Sequence, residues 1–334
     1  MKFHPFSLTL AASVALAGFV LPLAAQAATL KVSSCLQRNH DQIDAYFDTF
    51  HKPINALKGD LKLHYLGGPE VTPRRKQASA LKRGIIDLIV CPAPYYGGLL
   101  SEARLMGVHN KSLEEMRANG AWAMFQEAWG KGLNARILAY GGFKASTFFI
   151  YTKFKPKLSK KTGIDLTGIR MRSTGLYNAL LKGMNAVPVT ISPGEVYSGL
   201  QRGVVQGIAW PRGSVGRYGW EKFLKYKITP QFYGATLMAI INRDSFNKLT
   251  KAQQALLEKQ GKVYEKGSDA ILDAKAAIDT RKLKESGVKE VNLTGEYARA
   301  YIDTIYKSKW AENDKLKYIV DYKKLKSKMY DPGR

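Results

Sequence analysis

The stretch Gly168–Pro211, GIRMRSTGLYNALLKGMNAVPVTISPGEVYSGLQRGVVQGIAWP, decides the fold. It reads as strand, helix, strand, helix, strand. Ile169–Arg172 is short and β-capable, Gly175–Met184 has helical spacing of apolar residues, and Val187–Ile191 is a second β-branched run. Ser192-Pro193-Gly194-Glu195 matches a capping box, with proline at the first helical position and glutamate at the third. Gly203 ends that helix, and Val204–Trp210 is a third strand stopped by Pro211. Strands alternating with helices of this length specify parallel βαβ units.

An earlier stretch echoes part of this pattern. Thr72-Pro73 opens a helix, Leu81-Lys82-Arg83-Gly84 closes it, and Ile85–Cys91 is a strand stopped by Pro92. The shared cap, stop and strand end argue for two similar α/β lobes. Working outward, the first lobe begins with strand Leu30–Cys35, a helix over Gln42–Leu57 and strand Leu61–Leu66, followed by the loop Gly67-Gly68-Pro69-Glu70. A helical region follows at Leu113–Gly130, then strands Arg136–Tyr140 and Thr147–Tyr151, with basic Lys153–Thr162 as the expected crossing between lobes. Ala235–Asn242 is an apolar strand that returns the chain to the first lobe. Thr250-Lys251-Ala252-Gln253 is another capping box, and Leu256, Val263, Ile271 and Ile278 keep helical spacing to about Glu285. Unbroken, that helix would be ~50 Å long, enough to brace two lobes, although Gly261 and Gly267 are potential kinks. The expected partition is 28–150 plus 235–275 for lobe I, and 151–234 plus 276–334 for lobe II.

Residues 1–27 read as a cleaved signal peptide. Lys2 precedes an uncharged, mostly apolar run, Phe6 to Leu21, and Ala25-Gln26-Ala27 supplies the small-x-small cleavage pattern. The expected location is the periplasm. The formal charge of +25 would suggest nucleic acid in a cytosolic chain, but an exported protein with no basic-aromatic motif points instead to anionic ligands or an anionic surface. A generally basic, solvated surface, as at Lys315–Lys328, is the alternative. Cys35 and Cys91 close the first and third strands, which are neighbours in a lobe of strand order 2-1-3. A disulfide between them is possible in an oxidising compartment. Side chains at the ends of adjacent parallel strands are often poorly aimed for one, so two free, half-buried thiols are the expectation.

No catalytic constellation has a specific spacing. His40, His51, His64 and His109 are scattered, with no metal-ligand pattern, and there is no phosphate loop or nucleophile elbow. No cofactor and no metal are expected, and a binding protein is favoured over an enzyme. Ligands of open α/β lobes sit beyond the carboxyl ends of the strands, which selects Cys35, Glu70, Cys91, Tyr95, Tyr96, Arg172 and Trp210. A guanidinium at Arg172 can grip a carboxylate through two parallel hydrogen bonds. Trp210, Tyr95 and Tyr96 are candidate aromatic walls, and Glu70 a candidate acceptor for a ligand hydroxyl or amine.

At these residues the chain resembles the periplasmic solute-binding proteins of tripartite ATP-independent periplasmic (TRAP) transporters, often named for C4-dicarboxylate binding. The resemblance rests on Leu30-Lys31-Val32, Gly67-Gly68-Pro69-Glu70, Leu81–Asp87 (LKRGIID), Asp165–Arg172 (DLTGIRMR), Glu195–Pro211 and Thr250–Leu257 (TKAQQALL). It implies a two-lobed periplasmic binding protein fold with a long helix bracing both lobes. It implies capture of a small organic acid and delivery to the permease subunits of a sodium-driven transporter, with the family's ligand arginine falling on Arg172. A periplasmic enzyme or a sensory binding protein on the same fold are the rival readings. Two departures bear on the ligand: Gln206-Gly207 stands where many members have Asp-Gly, and Trp210 where sialic-acid-binding members place an asparagine. The tryptophan favours a carboxylate with an apolar or aromatic body, with dicarboxylates and sugar acids as alternatives.

Overall fold

The computed structural model describes residues 1, 27–142, 146–234 and 237–332. The expected signal peptide, 1–27, lies outside the described residues except at its two ends. In chain order the first lobe contains β1 (Ala28–Ser34), α1 (Asp41–Tyr46), a π turn (Phe47–His51), α2 (Lys52–Ala56), β2 (Leu61–Gly67), α3 (Arg74–Lys82), β3 (Leu88–Cys91), α4 (Leu113–Ala118), α5 (Ala121–Leu133) and β4 (Ala135–Gly141). The second contains β5 (Thr147–Thr152), the hairpin β6 (Lys157–Ser159) and β7 (Gly163–Asp165), β8 (Arg170–Ser173), α6 (Asn178–Gly183), β9 (Val187–Thr190), α7 (Val196–Gln201), β10 (Gly207–Pro211) and β11 (Tyr226–Gly234). The chain then adds β12 (Leu237–Asn242), α8 (Arg243–Asn247), α9 (Lys251–Glu285), β13 (Lys289–Asn292), α10 (Gly295–Asn313) and α11 (Tyr322–Met329).

The decisive stretch folds in the expected order of strands and helices, with the first helix shorter, at Asn178–Gly183, and the third strand at Gly207–Pro211 rather than Val204–Trp210. β8, β9 and β10 are parallel neighbours, and Ser192 and Glu195 close the capping box reciprocally. The echo holds at the level of topology. One sheet runs β2-β1-β3-β12-β4 and the other β13-β11-β5-β10-β8-β9, so each has a 2-1-3 parallel core extended by an antiparallel strand. Those antiparallel strands, β12 and β5, are the ones reached by crossing between lobes. The crossing precedes Lys153–Thr162, correcting that expectation: β5 pairs along its length with β10 and β11, while residues 153–162 lead through the β6–β7 hairpin, against which α10 packs.

Helices cover both faces of each sheet, which is why strands such as β3 (LIVC) are apolar at every position. α9 is one uninterrupted helix of 35 residues, about 50 Å long. Its glycines serve close packing rather than kinks. A Cβ on Gly261 would sit 2.6 Å from the Leu138 carbonyl of β4, and one on Gly267 2.8 Å from the Thr49 methyl. The N-terminal half of α9 thus lies against the first sheet, while Leu283 near its other end joins the core of the second. The tail serves both lobes, with α10 packed on α6 and α11 on α5.

Cys35 and Cys91 form a disulfide, with Cα atoms 4.9 Å apart and both residues fully buried. This overturns the expectation of free, half-buried thiols. Register supplies the reason: β1 and β3 pair with Ser34 opposite Val90, so the next residue of each strand meets its counterpart directly. The bridge spans 56 residues, for which the loop-entropy relation gives about 4 kcal/mol as a ceiling. Replacing both cysteines by serine is therefore expected to cost about 3 kcal/mol and to lower the ligand-free melting temperature by about 5 °C in calorimetry.

Candidate functional site

The carboxyl ends of β1, β3, β8, β9 and β10 converge on a cleft between the lobes. Its inner part is a cavity of about 80 Å³ whose wall includes Leu36, His40, Tyr95, Met106, Phe148, Arg172, Tyr177 and Trp210. Its outer part is a wider vestibule of about 770 Å³, lined by Arg74, Arg75, Lys76 and Arg104 among others, with no acidic residue in its wall. Arg172, Tyr95 and Thr174 line both.

Arg172 is the centre of this arrangement. It projects from β8 and is only 2% exposed. Its Nε donates to the Ile191 carbonyl at 3.1 Å, and Nη1 donates to the Tyr177 hydroxyl. The guanidinium carbon lies 5.2 Å from the centroid of the Trp210 ring. Among the described residues no carboxylate pairs with it, and Nη2 has no protein partner. Buried charges are ordinarily paired, so this one is prepared for an anion that the chain does not itself supply. The loop behind it is fixed from α10, where buried Lys309 donates to the Gly175 carbonyl at 2.8 Å and to Glu312 at 2.8 Å. Burial raises the Tyr177 hydroxyl above its ordinary range despite the opposing pull of Arg172, so it stays a neutral phenol.

Trp210, on β10, is 4% exposed and packs against Trp220 at 4.7 Å between centroids. Its indole N–H has no hydrogen-bond partner among the described residues. Tyr95 is half-buried beneath the Arg74 guanidinium, 5.5 Å from its ring. These three sequence-selected residues share one cavity wall. The other four do not reach it. Tyr96 borders the vestibule, but its hydroxyl is engaged in the core by Trp129 and Met238. Glu70 folds back on its own loop and accepts from the Gly68 amide at 2.6 Å. Cys35 and Cys91 are locked in their disulfide beneath the cleft and line neither cavity. Gln206, one of the departures from the family pattern, accepts from the Arg170 amide at 3.2 Å, outside the cavity wall.

The residue that sequence reasoning passed over is His40. It caps α1, with Nδ1 accepting from the Gln42 amide at 3.2 Å, and it is 7% exposed in the cavity wall. Burial, reinforced by Arg217, lowers it to about 4, so the ring is neutral at physiological pH. Beside it begins a charge cluster joining the lobes. Asp41 accepts from Ser214 at 2.6 Å, from Lys275 at 3.0 Å and from Arg217. Asp44 accepts from Lys275 at 2.7 Å, Arg38 at 2.7 Å and Arg217 at 3.2 Å. No group of three His, Cys, Asp or Glu side chains among the described residues is placed to hold a metal ion.

Comparison with known proteins places this geometry. The model of the bacterial extracellular solute-binding proteins, family 7, matches residues 32–313. A monocarboxylate 2-oxoacid-binding periplasmic protein of Nostoc sp. is 28% identical over 156 residues, covering 42% of this chain and 41% of that protein's length. Among solved structures, a TRAP transporter solute-binding protein of Bordetella bronchiseptica with calcium and picolinate superposes with a TM-score of 0.76 at 21% identity, over 91% of this chain and 92% of that one. An extracytoplasmic solute receptor of Bordetella pertussis binding pyroglutamic acid gives 0.74 at 18% identity, over 91% and 99%. This two-lobed α/β chain, braced by one long helix, with a buried arginine in its cleft and a family match over most of its length, belongs to the family 7 bacterial extracellular solute-binding proteins.

Proposed function

We propose that this protein is a periplasmic receptor that captures a small organic monocarboxylate in the inter-lobe cleft and delivers it to the permease of a TRAP-type secondary transporter. The observation that carries the reading is Arg172, a buried guanidinium with no carboxylate partner among the described residues, set in a cavity whose wall is otherwise uncharged and mostly apolar, with His40, Gln42 and Thr174 among its few polar side chains. Among the described residues it is the sole charged side chain in that wall, since His40 is neutral. One full charge matches one carboxylate, which favours a monocarboxylate over a C4-dicarboxylate. The cationic vestibule outside it attracts anions toward the cleft and raises their encounter rate. The relatives agree in kind, being named for 2-oxo monocarboxylates or holding picolinate or pyroglutamate.

The purified protein should show a rise in melting temperature with monocarboxylates from a panel that also contains dicarboxylates and sugar acids, because a ligand that binds only the native state stabilises it by mass action. Mass spectrometry should recover the bound compound unchanged. A chemically altered ligand would favour an enzyme, and stabilisation by none of the panel would remove the carboxylate reading.

A further inference from the structure

The cleft contains a second polar anchor besides the arginine. His40 has its two ring nitrogens in different employment. Nδ1 accepts the Gln42 amide hydrogen bond that caps α1, which places the ring proton on Nε2. Among the described residues Nε2 has no hydrogen-bond partner, and the side chain lies in the wall of the 80 Å³ cavity. Serine, threonine or aspartate would cap the helix at least as well but would present no N–H to the cleft.

The position of this donor fixes what it meets. The His40 ring centroid lies 6.4 Å from that of Trp210, and the Arg172 guanidinium carbon lies 5.2 Å from the same Trp210 centroid. The space that both line holds about five to eight waters' worth of ligand. A ligand small enough to fill this one cavity touches both walls, so the group that meets His40 lies within a few bonds of the carboxylate on Arg172. A buried N–H left without a partner is costly, so the complementary group is an acceptor. No carboxylate side chain lines the cavity to receive hydrogen bonds from a polyhydroxylated ligand.

We propose that His40 is a specificity-determining contact that selects monocarboxylates carrying a neutral hydrogen-bond acceptor adjacent to the carboxylate, either a 2-oxo group or a ring nitrogen. This rests on the carboxylate-receptor reading above and deepens it. The cation on Arg172 supplies affinity for any small carboxylate. The Nε2–H of His40 discriminates among them, because a donor built into the wall rejects an analogue that leaves it unpaired. His40 is thus both a helix cap and a reader of the ligand, and the two roles separate by substitution.

The test pairs ligands and variants in metal-free buffer, by calorimetric titration. 2-Oxobutyrate is compared with butyrate, and pyridine-2-carboxylate with benzoate. The variants are His40→Ser and His40→Thr, which retain a capping oxygen and are checked for an unchanged circular dichroism spectrum. Wild type should prefer the acceptor-bearing member of at least one pair by about tenfold or more. Both variants should reduce that preference to about threefold or less, with the larger loss of affinity falling on the acceptor-bearing acid. The pair that shows the preference separates the oxo from the heteroaromatic source. Equal binding within both pairs, or a preference that persists in the variants, would overturn the proposal and leave the receptor reading intact. If none of the four acids binds while a dicarboxylate or sugar acid binds in an Arg172-dependent way, the proposed class is wrong but carboxylate capture stands. Failure of every carboxylate would remove both.

Discussion

Arg172→Met is expected to abolish measurable carboxylate binding while leaving the ligand-free protein at least as stable as wild type. The two halves of this result have one cause. In the ligand-free protein the guanidinium is desolvated and satisfied by the Ile191 carbonyl and the Tyr177 hydroxyl, with no counter-anion. Replacing such a buried charge by an apolar side chain of similar length is neutral or stabilising in many proteins. In the complex, the same change leaves the ligand carboxylate buried and unpaired, at a cost of about 3–5 kcal/mol, or two to three orders of magnitude and more in Kd. Arg172→Lys should restore little, since a single ammonium keeps the charge but loses the fork that holds Tyr177, Ile191 and the ligand together. The measurements are melting temperature without ligand and titration calorimetry with the best ligand of the panel. A large drop in ligand-free stability with affinity retained would make Arg172 a structural residue and end the capture mechanism.

Arg172, Trp210 and Tyr95 were legible because strand ends of parallel βαβ units have a fixed relation to the cleft. A strand that ends in arginine and another that ends in Trp-Pro announce their own positions. Tyr96 follows Tyr95 in sequence but belongs to the core, since the 3-10 turn at Ala93–Tyr96 points the two rings in different directions. His40 was not legible. A lone histidine in a polar loop has no spacing partner, and its signal was positional: it stands where a helix cap should be, just before Asp41 and Asp44 in the first turn. The disulfide was not legible either, because it depends on a register of β1 against β3 that no local pattern states. Long-range ion pairs are the least legible of all. Asp41 and Arg217 are 176 residues apart, and neither lies in a motif.

Those ion pairs carry the second large effect: Asp41→Ala should weaken ligand binding by about tenfold, chiefly through faster release. Asp41 is 7% exposed and lies on α1 of the first lobe, next to His40. Its partners Ser214 and Arg217 belong to the loop between β10 and β11 of the second lobe. That loop is fastened to α9 in turn, because Asp279 accepts from the Gly216 amide at 2.7 Å and the Arg217 amide at 3.2 Å. A separation of the lobes would break the Asp41 contacts to Ser214 and Arg217, while its contact to Lys275 on α9 need not break. Asp41 is buried, but Arg217 and Lys275 are about a third exposed and keep Asp44 as a partner. Removing Asp41 therefore costs about 1–3 kcal/mol, and the share borne only by the closed state lowers apparent affinity by the fraction of closed protein lost. Asp41→Asn, which keeps an acceptor for Ser214 but not the charge, should fall between wild type and alanine. The neighbouring Asp44 sets the sign of the pH effect. Burial pushes its carboxyl upward, but hydrogen bonds from Lys275 and Arg38 prevail and leave it below its ordinary value of 3.8. Its contribution is thus complete above that value and is lost as the pH falls through the lowered one, so the latch should hold across neutral and mildly acidic conditions and loosen only in strong acid. Stopped-flow dissociation, with small-angle scattering of the ligand-free variants, tests the argument directly. Unchanged release rates and unchanged dimensions in Asp41→Ala would mean that closure is set by the ligand and the α9 brace alone.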